Sequence, residues 1–156
     1  MRGIIFTVLM LAAGIASAAD GEEAGAKVHE YFDLFNKKDV ETIAHRIYSS
    51  PVHVGGGDGH RVYANPTEAI DSLNSFYTVL ADQDWRESVI SDLQVCQLSP
   101  TLALVDTQFS RITSSGDPIP PETRTTLYVL QMIDGDWRIV SFYGHDPANR
   151  PACGGD

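Results

Sequence analysis

The run Leu127-Tyr128-Val129-Leu130-Gln131-Met132-Ile133, followed by Asp134-Gly135-Asp136 and then Trp137-Arg138-Ile139-Val140, decides the fold. Asp-Gly between two stretches rich in aliphatic, β-branched and aromatic residues has the composition of a tight hairpin. In the first stretch Leu127, Val129 and Ile133 alternate with Tyr128, Leu130 and Met132, so both faces of the strand are apolar. A strand of that kind needs cover on both sides.

Upstream, Trp85 to Leu98, Thr101 to Thr113 and Thr123 to Ile133 read as strands, and Trp137 to His145 closes the set. Ser99-Pro100 separates one pair, and the longer Pro-rich loop Asp117 to Pro121 separates another. Before the strands come helices. Ala24, Val28, Tyr31, Phe32, Leu34 and Phe35 recur at helical spacing between Glu22 and Phe35, and Asn36-Lys37-Lys38 breaks the pattern. Asp39 then caps a short helix through Ile47. Asn65-Pro66-Thr67-Glu68 has the cap, first-turn proline and acid of a third helix, which runs to about Leu80. Between them Pro51 and Gly55, Gly56, Gly57 and Gly59 predict irregular backbone, with a short strand over His60 to Tyr63. The expectation is an α+β domain. Its three N-terminal helices cover one face of a mostly antiparallel sheet, and a second subunit or the C-terminal tail covers the other.

This order of elements, with Tyr31-Phe32-Asp33-Leu34-Phe35-Asn36-Lys37-Lys38-Asp39, the turn, strand and helix over Gly59 to Ile70, and the hairpin over Leu127 to Val140, resembles the NTF2-like superfamily, also called cystatin-like or SnoaL-like. The resemblance covers nearly all of the chain after its leader. It implies a cone in which a curved sheet wraps the helices around an apolar pocket, and often a dimer. Members include isomerases, cyclases, dehydratases and proteins without catalysis, so the fold does not choose among them. Ketosteroid isomerase offers a residue-by-residue comparison, because it uses a tyrosine and a protonated Asp as oxyanion donors and another Asp as base. The tyrosine position falls on Tyr31. The base falls on Ser50 before Pro51, and the acid falls near Val129 or Leu130, where there is no carboxyl. A hydroxyl without an adjacent base does not abstract a carbon-bound proton near neutral pH, so steroid isomerisation is not expected.

The chain has 156 residues, 43% of them hydrophobic and 21% charged, enough to fill one core. A net charge of -10 repels phosphate backbones and anionic membranes, so neither nucleic acid nor a membrane surface is an expected partner. Arg2, the apolar run Gly3 to Ile15 and Ala16-Ser17-Ala18 have the form of a signal peptide over residues 1–18. The domain then occupies 19–146 and a tail 147–156, in the periplasm or outside the cell. Two cysteines in an exported chain permit one bridge, Cys96 to Cys153; the alternative is a buried Cys96 and a free Cys153.

Candidate site residues are few. The histidines at 29, 45, 53, 60 and 145 include no pair with metal-site spacing, and no metal or other cofactor is expected. His29 and His45 read as polar helix surface. His53 and His60 flank the glycine loop and are expected to meet at a pocket mouth. The loop lacks the Lys-Ser/Thr of a phosphate loop and contains Asp58. Asp106 and Gln108 interrupt an apolar strand and need partners, for which Arg111 and Arg124 on the neighbouring strands are candidates. They form either a structural ion pair or solvent-facing edge, or a polar group that fixes a ligand. The resemblance also puts His145, at the end of the last strand, beside the pocket. The pocket candidates are thus Tyr31, His53, Asp106, Gln108, Arg124 and His145. Two functions follow as expectations. One is a binding domain for a small apolar molecule or a partner, without turnover and expected as a homodimer; the other is a pocket enzyme using general acid/base catalysis on a small hydrophobic substrate, with Tyr31 and His145 or His53 as its groups.

Overall fold

The computed structural model describes residues 16–57 and 59–152, so most of the expected signal peptide, Asp58 and Cys153 lie outside the described residues. The first helix, α1, spans Ala16–Lys37. Its buried stripe of Ala24, Val28, Tyr31, Phe32 and Phe35 follows the helical repeat. Lys38 at φ 57 ends it in the left-handed region. Asp39 caps α2 (Val40–Thr42) by accepting from the Thr42 amide at 3.1 Å and the Thr42 hydroxyl at 2.8 Å. The expected short helix then widens into a π-helical turn, Ile43–Ile47, in which the Tyr48 amide donates to the Ile43 carbonyl. Ile43, Ala44 and Ile47 are all buried by it.

The segment expected as irregular backbone around Pro51 is instead the strand β1, Tyr48–Gly56. It has neighbours on both sides, β2 (Gly59–Tyr63) antiparallel and β6 (Asp136–His145) parallel. Pro51 lacks an amide donor, and the register with β6 shifts between Tyr48 and His53, across the proline. Gly59 takes the positive φ, 107, of the turn into β2. Helix α3 (Pro66–Ala81) begins as expected, with Asn65 accepting from the Glu68 amide at 3.1 Å and Glu68 reaching back to the Ala64 amide at 2.9 Å. The long strands β3 (Trp85–Ser99), β4 (Leu102–Thr113) and β5 (Arg124–Ile133) complete one six-stranded sheet in the order β2-β1-β6-β5-β4-β3.

Three register shifts in β3 and one between β5 and β6 bend this sheet around α1. On β4, Ala103, Val105, Thr107 and Phe109 face the helices and are buried, while Leu104, Asp106 and Gln108 face the other way. Asn36 ties the end of α1 to the start of β3: its amide donates to the Ser88 carbonyl at 3.0 Å and accepts from the Ser88 amide at 2.8 Å. Lys27, buried on α1, pairs with Glu30 at 3.0 Å and with Asp136 of β6 at 3.1 Å. No helix among the described residues is long and apolar enough to cross a membrane.

Candidate functional site

The bend leaves a cavity of about 640 Å³ between the concave face, α1 and α3. Phe32 and Phe35 of α1, Phe76 of α3, Phe109 of β4 and Phe142 of β6 form much of its wall. Four tyrosines join them. Tyr31 sits at the centre, with ring centroids 5.7 Å from Phe32, 5.8 Å from Tyr48 and 5.8 Å from Tyr128. Tyr63 of β2 also lines the wall and accepts from the Ser72 hydroxyl at 2.8 Å. The glycines Gly55 to Gly57 and Gly59, with exposed Arg61, line the end toward the β1–β2 turn.

The Tyr48 hydroxyl donates to the Tyr31 oxygen at 3.3 Å, which leaves the Tyr31 proton for another acceptor. Burial pushes Tyr31 up to about 12, although the Tyr48 bond and the nearby Arg111 charge offset part of that rise. Burial also raises Tyr48 and Tyr128 well above the ordinary tyrosine range. All three therefore stay protonated near neutral pH.

Arg111 is the unexpected member of this site. Its guanidinium carbon stands 4.9 Å from the centre of the Phe76 ring, and its Nε is buried with no hydrogen-bond partner. Burial, and behind it the like charge of Arg124, brings Arg111 down to about 10. The expected pairing with Asp106 does not occur, because five residues along a strand put two side chains on opposite faces. Phe109 and Arg111 share the cavity face, and Asp106 points out of the other side. This parity is the signal in the sequence that could have found Arg111.

Asp106, 1% exposed, is instead held on the outer face by His145 Nε2 at 2.6 Å and by Arg150 Nε at 2.5 Å. Arg150 also donates to Asp92 at 2.5 Å, and this bond holds the Asp92 carboxyl below its usual range. Gln108 is 3.4 Å from the same guanidinium. Arg124, also expected near Asp106, donates to the carbonyls of Ile119, Pro120 and Pro121 and so closes the Pro-rich loop. His53 and His60 do meet, with Nδ1 and Nε2 3.3 Å apart and rings stacked, but both are exposed and His53 points away from the face carrying Val52 and Val54. Of the six candidate residues, then, Tyr31 lines this cavity, while His53, Asp106, Gln108, Arg124 and His145 are placed elsewhere.

Cys96 is half-buried on β3 opposite Leu104, with its expected partner Cys153 outside the described residues. Among the described residues no group of three His, Cys, Asp or Glu is arranged to hold a metal ion.

Known structures share this architecture. An NTF2-like protein with a cystatin-like fold from Novosphingobium aromaticivorans superposes with a TM-score of 0.69 at 13% identity, over 85% of each chain. A cystatin-like protein from Nostoc punctiforme gives 0.64 at 18% identity, over 84% of this chain and 94% of its own. A ketosteroid isomerase-like protein from Erwinia carotovora atroseptica gives 0.61 at 16% identity, over 82% and 98%. No curated protein matches in sequence. Residues 22–147, from within α1 to just past β6, match the family described as NTF2-like protein (DUF6841), and it is to this family that the chain belongs.

Proposed function

We propose that this domain binds a small, largely apolar molecule in the cavity and releases it unchanged. The observation that carries the reading is the division of chemistry between the two faces of the sheet. The cavity wall is built from phenylalanines and protonated tyrosines, whereas His53 and His145, the imidazoles an acid/base mechanism was expected to use, lie away from it. A cavity of about 640 Å³ falls in the range of small-molecule sites, which are mostly apolar with a few polar groups. Tyrosines that burial keeps protonated near neutral pH offer a hydroxyl to a ligand but no phenolate to act as a base. In this proposal the expected leader carries the domain out of the cytoplasm, and a second copy covers the apolar part of the outer sheet face.

The test is a thermal-shift screen of apolar small molecules. A ligand present at a hundred times its Kd stabilises a folded domain by roughly 2.7 kcal/mol, so hits at that level are easily read. The shift should saturate, should be lost in Val54→Trp, which fills the cavity wall, and the ligand should be recovered chemically unchanged after long incubation. Conversion of the ligand, or binding that Val54→Trp leaves intact, would overturn the reading.

A further inference from the structure

We propose that the cavity's ligand is an amphipathic acid, with an apolar body among the phenylalanines and a carboxylate held by Arg111. The inference rests on the binding reading above and names the class of molecule. The protein carries 21 acidic and 11 basic residues, yet the charged side chains among the described residues lining the cavity are Arg61 and Arg111, both cationic. An acidic protein has placed its lining charge against its own composition.

Arg111 makes no side-chain hydrogen bond or ion pair with a described residue, and its Nε is buried without a partner. Leaving a guanidinium in an apolar wall is costly unless something accepts from it. The Phe76 face offsets part of that cost through the ring quadrupole, but it takes no hydrogen bond from the edge of the guanidinium plane. A carboxylate matches that planar fork with two parallel bonds. Tyr31 adds a second donor, since Tyr48 already occupies its oxygen as an acceptor. A monoanion balances the single inner cation; a phosphate dianion would bring excess charge into the phenylalanine wall. Exposed Arg61 near the β1–β2 turn is placed to attract the acid on entry.

The experiment compares matched probes on the full mature chain at neutral pH. These are 2-naphthoate against 2-naphthalenemethanol and decanoate against 1-decanol, with Kd measured by calorimetry. Wild type should prefer the acid by about tenfold or more, the size expected of a charge-assisted hydrogen bond. In Arg111→Met the ratio of acid to alcohol affinity should fall to about one, while Arg86→Met, an exposed arginine outside the cavity, should leave the ratio as it is. Binding of acid and alcohol alike by wild type overturns the inference and leaves the apolar-cavity reading intact. Binding of none of the four probes defeats both. A preference that survives in folded Arg111→Met also overturns the inference. If Arg111→Met does not fold, Arg111→Lys replaces it: this keeps the charge and loses the planar fork, so the ratio should drop several-fold, and an unchanged ratio counts against the proposal.

Discussion

The guanidinium of Arg111 stands 4.9 Å from the centre of the Phe76 ring, which joins the end of β4 to α3 across the cavity. That contact supports a cation that has no carboxylate beside it. Phe76→Leu keeps an apolar side chain and removes the ring face. It should cost about 0.5–2 kcal/mol of stability, the range for a cation–π contact between exposed and desolvated settings. Urea denaturation measures the loss, and the variant's affinity for an acidic ligand should fall with it.

Tyr31→Phe removes a hydroxyl from the cavity wall. Ligand affinity should fall by about 0.5–1.5 kcal/mol, the net value of one hydrogen bond. The melting temperature should move little, because the bond Tyr31 receives from Tyr48 is long at 3.3 Å. A large loss of stability with unchanged affinity would assign the hydroxyl to the fold instead.

Asn36→Ala should behave in the opposite way. It removes both bonds to Ser88 and leaves a part-buried amide and carbonyl unpaired where α1 meets β3. Roughly 1–3 kcal/mol of stability should be lost. Once the variant is folded, its ligand affinity should match wild type, because Asn36 does not line the cavity.

Alkaline titration reads the buried tyrosines directly. Burial raises Tyr31 to about 12 and lifts Tyr48, Tyr77 and Tyr128 above their ordinary value as well. A folded-state pKa above the unfolded one contributes stability that is complete below the unfolded value, near 10, and that is lost as pH rises through the folded value. Phenolate absorbance from these four should therefore be absent at pH 10, and should appear together with unfolding between about pH 10 and 12. Early ionisation of all six tyrosines with the fold intact would contradict the buried aromatic cluster.

Assembly is tested on the outer face of the sheet. Leu104, Leu127 and Val129 are only half-buried there, and Tyr143 is 38% exposed. Light scattering should give a dimer mass, and Leu127→Glu should give a monomer with an unchanged far-UV spectrum. A monomer mass for wild type would leave the cover to the tail segment that Arg150 pins to Asp106 and Asp92.

Hydrophobic period and turn chemistry by themselves determined α1, α3 and the strands β3 to β6. The caps Asp39 and Asn65, the Asp134-Gly135 turn and the two-faced strand around Leu127 to Ile133 are local signals, and local geometry answers to them. The helical repeat placed Tyr31 on the buried face with Val28, Phe32 and Phe35, and the resemblance to the NTF2-like superfamily, not the repeat, put it at the pocket. The β1 strand was not legible. Its Pro51 and glycines argue for irregular backbone, and pairing with β6, some ninety residues away in the chain, overrides them. The site was decided the same way. Which face of β4 lines the cavity depends on how the sheet bends around α1, and that bend assigns Arg111 to the pocket and Asp106 to His145 and Arg150 behind it. Residue types limit what a side chain can do, but the partner it meets is set by strand register, and register is a property of the packed sheet.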